Sequence, residues 1–180
     1  NLYTVIAYTE LASNLARFDG VRFTHRTSET VKNLDELYMK SRGEGFGKKV
    51  KRRIMLGYHT SSSENFSKFF IKAQKIRRLI INDFVEVFKK VDLLVSPTLP
   101  FLPFPIDLTK EEEENLIIPG LSRDILMIPA NIAGFPAMSV PMGLSEEGLP
   151  MGLQIMGNYF DEQSIFDLGL VIEKTNAKWN

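Results

Sequence analysis

The residues best suited to chemistry form a basic run from Lys48 to Arg53, in which five of six side chains are cationic. On a helix, Lys49, Arg52 and Arg53 lie close together because residues three and four apart share a face. One interpretation is a solvated helix face. The other is recognition of an anion, since an arginine side chain binds a carboxylate through two parallel hydrogen bonds. A further alternative is that the basic residues on the solvent side of this helix contact nucleic acid. A run of only six residues is weak support for that interpretation.

Single polar residues elsewhere have simpler interpretations. Asp124 precedes an apolar run and is by default an acid in the first turn of a helix, where the helix dipole favours it. Tyr3 and Tyr8 are by default packing residues with a solvated hydroxyl. His25 and His59 are predicted to lie in loops, because neither has a partner at a metal-ligand spacing.

Composition excludes several classes of function. The chain has no cysteine and two histidines, so disulfides and thiolate or histidine-rich metal sites are not expected. Its formal net charge is zero, which gives no general attraction to nucleic acid or to an anionic membrane. No apolar run reaches the ~18 residues of a membrane span. No nucleophile elbow, phosphate-binding loop or dinucleotide fingerprint occurs, and we expect this chain to bind no metal and no cofactor.

Four helices are predicted in the first half of the chain, and apolar residues with helical spacing indicate the first and the last of them. They cover residues 4–18, 33–41, 48–56 and 64–91. The second is expected to begin with a capping box of Asn33 and Glu36, and the fourth with one of Ser61 and Glu64. Three glycines between the second and third helices predict a flexible hinge at residues 43–47.

Short apolar runs in the second half predict three strands, at Val91–Val95, Ala137–Val140 and Met151–Met156. The last two are joined by a turn at Gly148, and Pro136, Pro141 and Pro150 must occupy strand ends or bulges. Residues 99–119 are proline-rich and then acidic, which indicates a surface excursion. A helical pattern over 121–132 is interrupted by Pro129, and a last helix begins near Asp161. The predicted class is α/β, with a mixed β-sheet core flanked by helices.

Several segments together resemble one known family. They are Ala12–Arg22, Arg42–Gly47, Val50–Gly57, Lys72–Arg78, Asp92–Thr98 and Phe135–Gly157. The last of these segments resembles the amidase signature family in general. The others are similar to the branch that contains the A subunits of glutamyl-tRNA(Gln) amidotransferases. The resemblance covers nearly the whole chain in order, and it implies the α/β amidase fold.

The resemblance also implies an activity. Amidases of this family use a Ser–cis-Ser–Lys triad, and in this branch the seryl nucleophile attacks the amide of glutamine. The ammonia released amidates Glu-tRNA(Gln) at a partner subunit, where ATP and Mg are used. The implied partners are the B and C subunits of the complex, Glu-tRNA(Gln) through that complex, and glutamine, with no membrane.

The family's serine-rich signature has no match in residues 1–180. We therefore interpret the chain as the C-terminal part of a single amidase domain, expect the triad to lie upstream, and assign no catalytic residue. By motif, the resemblance assigns glutamine binding to Tyr3, Arg53 and Asp124. In that assignment the arginine holds the α-carboxylate, the aspartate holds the α-ammonium, and the tyrosine supplies a polar contact.

Alternatives remain for both activity and location. The chain could belong to another amidase, one that hydrolyses fatty or aryl amides without a role in tRNA metabolism, or it could be a non-catalytic fragment that docks partner subunits. The segment Phe69–Phe84 resembles the mitochondrial members of the branch, which favours the mitochondrial matrix. Bacterial cytoplasm is the alternative.

Overall fold

The structure is a computed structural model that describes residues 2–107 and 124–175. The chain divides into two compact units, Asn1–Arg77 and Arg78–Asn180. The first unit is helical and the second contains a sheet with helices, so the predicted α/β class is confirmed. The second half of the predicted surface excursion, from residue 108 onward, lies outside the described residues, as does the start of the helical pattern predicted over 121–132.

Helices α1 (Leu2–Leu15), α2 (Leu34–Gly45) and α3 (Lys48–Ser61) build most of the first unit. The N-terminus of α2 is capped as predicted, because the Asn33 side chain accepts from the Glu36 N–H at 2.8 Å. Glu36 in turn accepts from the Lys32 N–H at 2.7 Å, one residue before the position that a capping box requires. The prediction of a glycine hinge is wrong, because α2 continues through Gly43 and Gly45. Only Phe46 and Gly47, the caps of the two helices, lie between α2 and α3.

A glycine sets the crossing of α1 over α3. A Cβ added to Gly57 would lie 2.0 Å from the Tyr8 carbonyl oxygen and 2.7 Å from the Ala12 Cβ. Only glycine permits so close an approach of two backbones. The contact is extended by a hydrogen bond of 2.7 Å between the hydroxyls of Thr9 and Thr60. Ile6, Ala12 and Ile54 are buried.

The predicted long helix is not uniform. It begins with a π-helical segment, Phe66–Ile71, and continues as α4, Lys72–Phe88. The predicted capping box at its start is wrong, because Ser61 is the last residue of α3 and its hydroxyl donates to the Gly57 carbonyl at 2.9 Å. Ser61 is therefore satisfied within its own helix, as serine often is near a helix end.

The second unit contains strands β1 (Leu93–Pro97), β2 (Ala137–Leu144) and β3 (Pro150–Gly157) in the order β1-β3-β2. Both pairings are antiparallel, so the mixed character of the predicted sheet is not seen among the described strands. The register shifts between Pro141 and Gly143, which places a proline at a bulge as predicted. Gly148 turns the β2–β3 hairpin with a φ of 79°.

Helices cover both faces of this sheet. Helix α5 (Ile128–Ala133) has Pro129 in its first turn, and α6 (Glu162–Thr175) follows Asp161. One face of the sheet packs on α6 through Val140, Ile155 and Ile165. The opposite face is covered near Met156 by Phe88, Ala130, Ala133 and Phe135. No helix in the described ranges, 2–107 and 124–175, is long and apolar enough to span a membrane.

Candidate substrate-binding sites

A cationic cleft lies between α1 and α3 in the first unit. Its volume is about 470 Å³ and its walls are formed by Thr4, Tyr8, Lys49, Arg52, Arg53 and Leu56. The α3 members follow spacings of three and four, so the basic run presents one face to the cleft, as the sequence predicted. Among the described residues this lining has three cationic side chains and no acidic one, which favours an anionic group such as a carboxylate or phosphate.

Tyr8 and Arg53 face each other across this cleft. The Arg53 guanidinium carbon is 5.8 Å from the centre of the Tyr8 ring, within the range of a cation–π contact. The close crossing at Gly57, one turn after Arg53, brings the two side chains together. An arginine that rests on an aromatic ring loses less conformational freedom when its N–H groups bind a ligand.

Tyr3 does not line the cleft. It is 40% exposed, and it precedes Thr4 by one residue, which is about 100° of rotation on a helix. Thr4 and Tyr8 are four residues apart and share the face toward α3. The sequence indicated only a packing role for Tyr8. The spacing of Tyr8 from Thr4 could not predict which face of α1 lines the cleft, because Gly57 on α3 fixes how the two helices cross.

A larger pocket of about 620 Å³ lies in the second unit, beyond the carboxyl end of β1. Most of its lining is apolar, and the rings of Phe101 and Phe104 stack with centres 4.9 Å apart. Its polar side chains include Thr98, Ser139 and Asp124. An apolar cavity with a few polar groups is the usual form of a small-molecule site.

Asp124 begins the turn that leads into α5. Its carbonyl oxygen accepts from the N–H groups of Met127 at 3.0 Å and Ile128 at 2.9 Å, so the backbone here is fixed. The residue is exposed, and within the described part of the chain it contributes the one carboxylate of the pocket lining. A carboxylate in that position can bind a cationic group such as an ammonium.

One polar cluster was not foreseen from sequence. The Glu44 carboxylate accepts from the Thr27 hydroxyl at 2.6 Å and lies 2.7 Å from His25 Nε2, so His25 has a partner that the sequence did not indicate. The Thr27 hydrogen bond and then His25 lower the pKa of Glu44 below its usual value. The Thr27 N–H donates to the buried Ser41 hydroxyl at 3.1 Å. The cluster fastens the loop after α1 to α2, which is a structural role.

The fold is that of an α/β protein whose clefts are sized for small molecules. A family model described as Amidase matches residues 1–166, and the chain belongs to the amidase family.

Within that family, the A subunit of the glutamyl-tRNA(Gln) amidotransferase of Granulibacter bethesdensis is 46% identical over 97% of this chain. The crystal structure of the corresponding Thermotoga maritima protein is 38% identical over 78% of this chain, with a TM-score of 0.53, and this chain covers 30% of it. The structure of another amidase, 21% identical over 97% of this chain with a TM-score of 0.65, shares the fold; this chain covers 35% of it. The chain spans about 34% of the length of the Granulibacter relative.

Proposed function

We propose that the protein to which this chain belongs is the glutamine-hydrolysing component of an amidotransferase, and that it supplies ammonia for the conversion of Glu-tRNA(Gln) to Gln-tRNA(Gln). This chain contributes glutamine binding and part of the scaffold. The observation that carries the proposal is the similarity of nearly the whole chain to relatives that are named as the A subunits of that enzyme. The proposal assigns no nucleophile and no base to residues 1–180.

Arg53 and Asp124 are the proposed ligands for the α-carboxylate and the α-ammonium of glutamine. Arg53 suits the α-carboxylate, because the described lining of its cleft is cationic without an acidic member, and Asp124 suits the α-ammonium. Tyr3 stays a prediction from motif resemblance, and Tyr8 is added as the tyrosine that supports Arg53.

The proposal extends to partners and location. The B and C subunits would complete the complex, with ATP and Mg used at the partner that activates Glu-tRNA(Gln). The relatives named above are bacterial, which supports bacterial cytoplasm, whereas the Phe69–Phe84 segment supports the mitochondrial matrix.

The test uses the full-length protein assembled with its partners. Arg53→Ala and Asp124→Ala should each raise the KM for glutamine roughly tenfold to a hundredfold, because a charge-assisted hydrogen bond contributes about 1.5–3 kcal/mol. Amidation with added ammonia should be unchanged, since ammonia bypasses the glutamine site. Arg26→Ala and Asp83→Ala, which remove exposed charges outside both clefts, are matched controls. Unchanged glutamine kinetics in both test variants would refute the assignment.

A second candidate is supported by the apolar lining of the 620 Å³ pocket. Stacked Phe101 and Phe104 would suit the acyl or aryl part of a hydrophobic amide better than the side chain of glutamine. In that case the protein would hydrolyse fatty or aryl amides without a tRNA partner. Measured activity on an anilide, with no ammonia released from glutamine, would select this candidate.

A further inference from the structure

The strands of the second unit place small polar side chains on one face of the sheet. Side chains alternate between faces along a strand, so Ser96 and Thr98 point to the same side as Gln154 and Gly152, their neighbours on β3. Ser139 on β2 pairs with Gln154 and joins that side. Near Met156 this face is covered by apolar residues, whereas toward Gly152 it forms part of the pocket lining.

Thr98 and Ser139 meet across the middle strand. Their hydroxyl oxygens are 2.7 Å apart although β1 and β2 are not neighbours in the sheet. The meeting requires Gly152 on β3, because a Cβ there would lie 2.9 Å from Thr98 Oγ1 and 3.2 Å from Ser139 Oγ. Absence of a side chain at position 152 therefore creates the pair, and all three residues line the pocket that contains Asp124.

The proton count of this pair determines what it can recognise. Two hydroxyls carry two protons, and the mutual hydrogen bond uses one of them. The pair is left with one O–H donor and several acceptor lone pairs. A carboxylate can only accept and an ammonium can only donate. A primary carboxamide, in contrast, does both, because its carbonyl accepts and its NH₂ donates.

We propose that the Thr98–Ser139 pair binds the carboxamide of the substrate, donating to its carbonyl oxygen and accepting from its NH₂ group. The assignment rests on the proposed function, in which glutamine is the substrate. It adds a specificity element to the proposed ligands of the α-carboxylate and the α-ammonium. A site that hydrogen-bonds the amide on both sides distinguishes glutamine from glutamate, whose γ-carboxylate cannot donate.

The test compares glutamine with glutamate in the assembled full-length enzyme. Thr98→Val and Ser139→Ala should each raise the KM for glutamine about threefold to tenfold, the range expected for a neutral hydrogen bond. Inhibition by glutamate should change less than about twofold, so the preference for glutamine falls. Thr98→Ser, which keeps the hydroxyl, should restore the wild-type KM. The double variant should raise the KM at least as far as the worse single variant, because it removes both hydroxyls that contact the amide.

Ser145→Ala is the matched control. Ser145 accepts from the Leu149 N–H at 3.2 Å in the β2–β3 hairpin and does not line the pocket, so its loss disturbs the same hairpin without touching the site. Gly152→Ala is a second probe, since it should raise the glutamine KM by separating two intact hydroxyls.

Three results would overturn the assignment: an unchanged glutamine KM in both hydroxyl variants, equal effects on glutamine and glutamate, or failure of Thr98→Ser to restore binding. A failure of the proposed function would give a different result from a failure of this assignment. If the wild type hydrolyses an anilide instead of glutamine, the same variants are measured on that amide. A raised KM there supports the hydroxyl pair as an amide-binding element, and an unchanged KM overturns it.

Discussion

Replacing Gly57 by alanine should loosen the first unit and weaken anion binding together. The added Cβ would lie 2.0 Å from the Tyr8 carbonyl oxygen. An ordinary contact is at least 3.4 Å, so α1 and α3 must separate by more than about 1 Å. A backbone oxygen cannot rotate away as the end of a side chain can. We expect a loss of about 1–3 kcal/mol, the usual cost of overpacking.

Gly43→Ala is the control, because it makes the same change inside α2 at a position with nothing within 4 Å of the added Cβ. Alanine is favoured over glycine in a helix interior by roughly 0.5–1 kcal/mol, so this variant should be slightly more stable than wild type. The two substitutions should therefore change the free energy of unfolding in opposite directions. Urea unfolding of the full-length protein, followed by circular dichroism, measures both through the shift in midpoint.

The same displacement should affect Arg53, which lies one turn before Gly57. Its guanidinium is 5.8 Å from the Tyr8 ring centre, near the ~6 Å limit of a cation–π contact, so a shift of about 1 Å removes the support. We expect Gly57→Ala to raise the KM for glutamine with little change in kcat. If Gly57→Ala were as stable as Gly43→Ala and bound glutamine normally, the helix crossing could not be what positions Arg53.

Three further predictions concern pH, activity and association. Hydrogen bonds from Thr27 and then His25 lower the folded-state pKa of Glu44, so the stability that Glu44 contributes is present above its unfolded-state pKa and is lost as pH falls through its folded-state pKa. Glu44→Gln should therefore lower the urea midpoint near neutral pH but not in strong acid. An equal effect at both pH values would contradict this. The 180-residue chain alone should release no ammonia from glutamine above a blank. That isolated chain should also bind a hydrophobic dye and associate, since α6 exposes Phe166, Leu170 and Val171 by 53%, 51% and 59%; a monomer with a cooperative melt and no dye binding would refute it.

Local patterns in the sequence predicted much of the secondary structure. Asn33 capped a helix as expected, Pro141 lies at a bulge, and Gly148 turns the hairpin, because each of these features depends on a residue's own backbone preferences. Apolar patterns gave strands β2 and β3 closely, whereas β1 begins at Leu93, two residues after the predicted start. The errors arose where a residue had two local options. Ser61 could cap the following helix or end the preceding one, and in the structure it ends α3 with its hydroxyl bonded to the Gly57 carbonyl.

The candidate sites were less accessible from sequence. The basic run was recognised and its shared face is confirmed, since helical spacing alone determines it. The contact between Arg53 and Tyr8 depends on the crossing of two helices that are far apart in the chain, which no local pattern encodes. The Thr98–Ser139 pair depends on three strands meeting at Gly152, and the Glu44 cluster joins residues 17 and 19 positions apart.

We propose that the protein takes nitrogen from glutamine for a tRNA-linked amidation. The most direct measurement is the formation of Gln-tRNA(Gln) by the assembled full-length complex, with ATP present and with either glutamine or ammonia as the nitrogen donor. We expect product from both donors in the wild type. In Asp124→Ala, product at limiting glutamine should fall while product from ammonia is unchanged. Failure of the wild type to use glutamine, or an equal loss with both donors in Asp124→Ala, would contradict the claim.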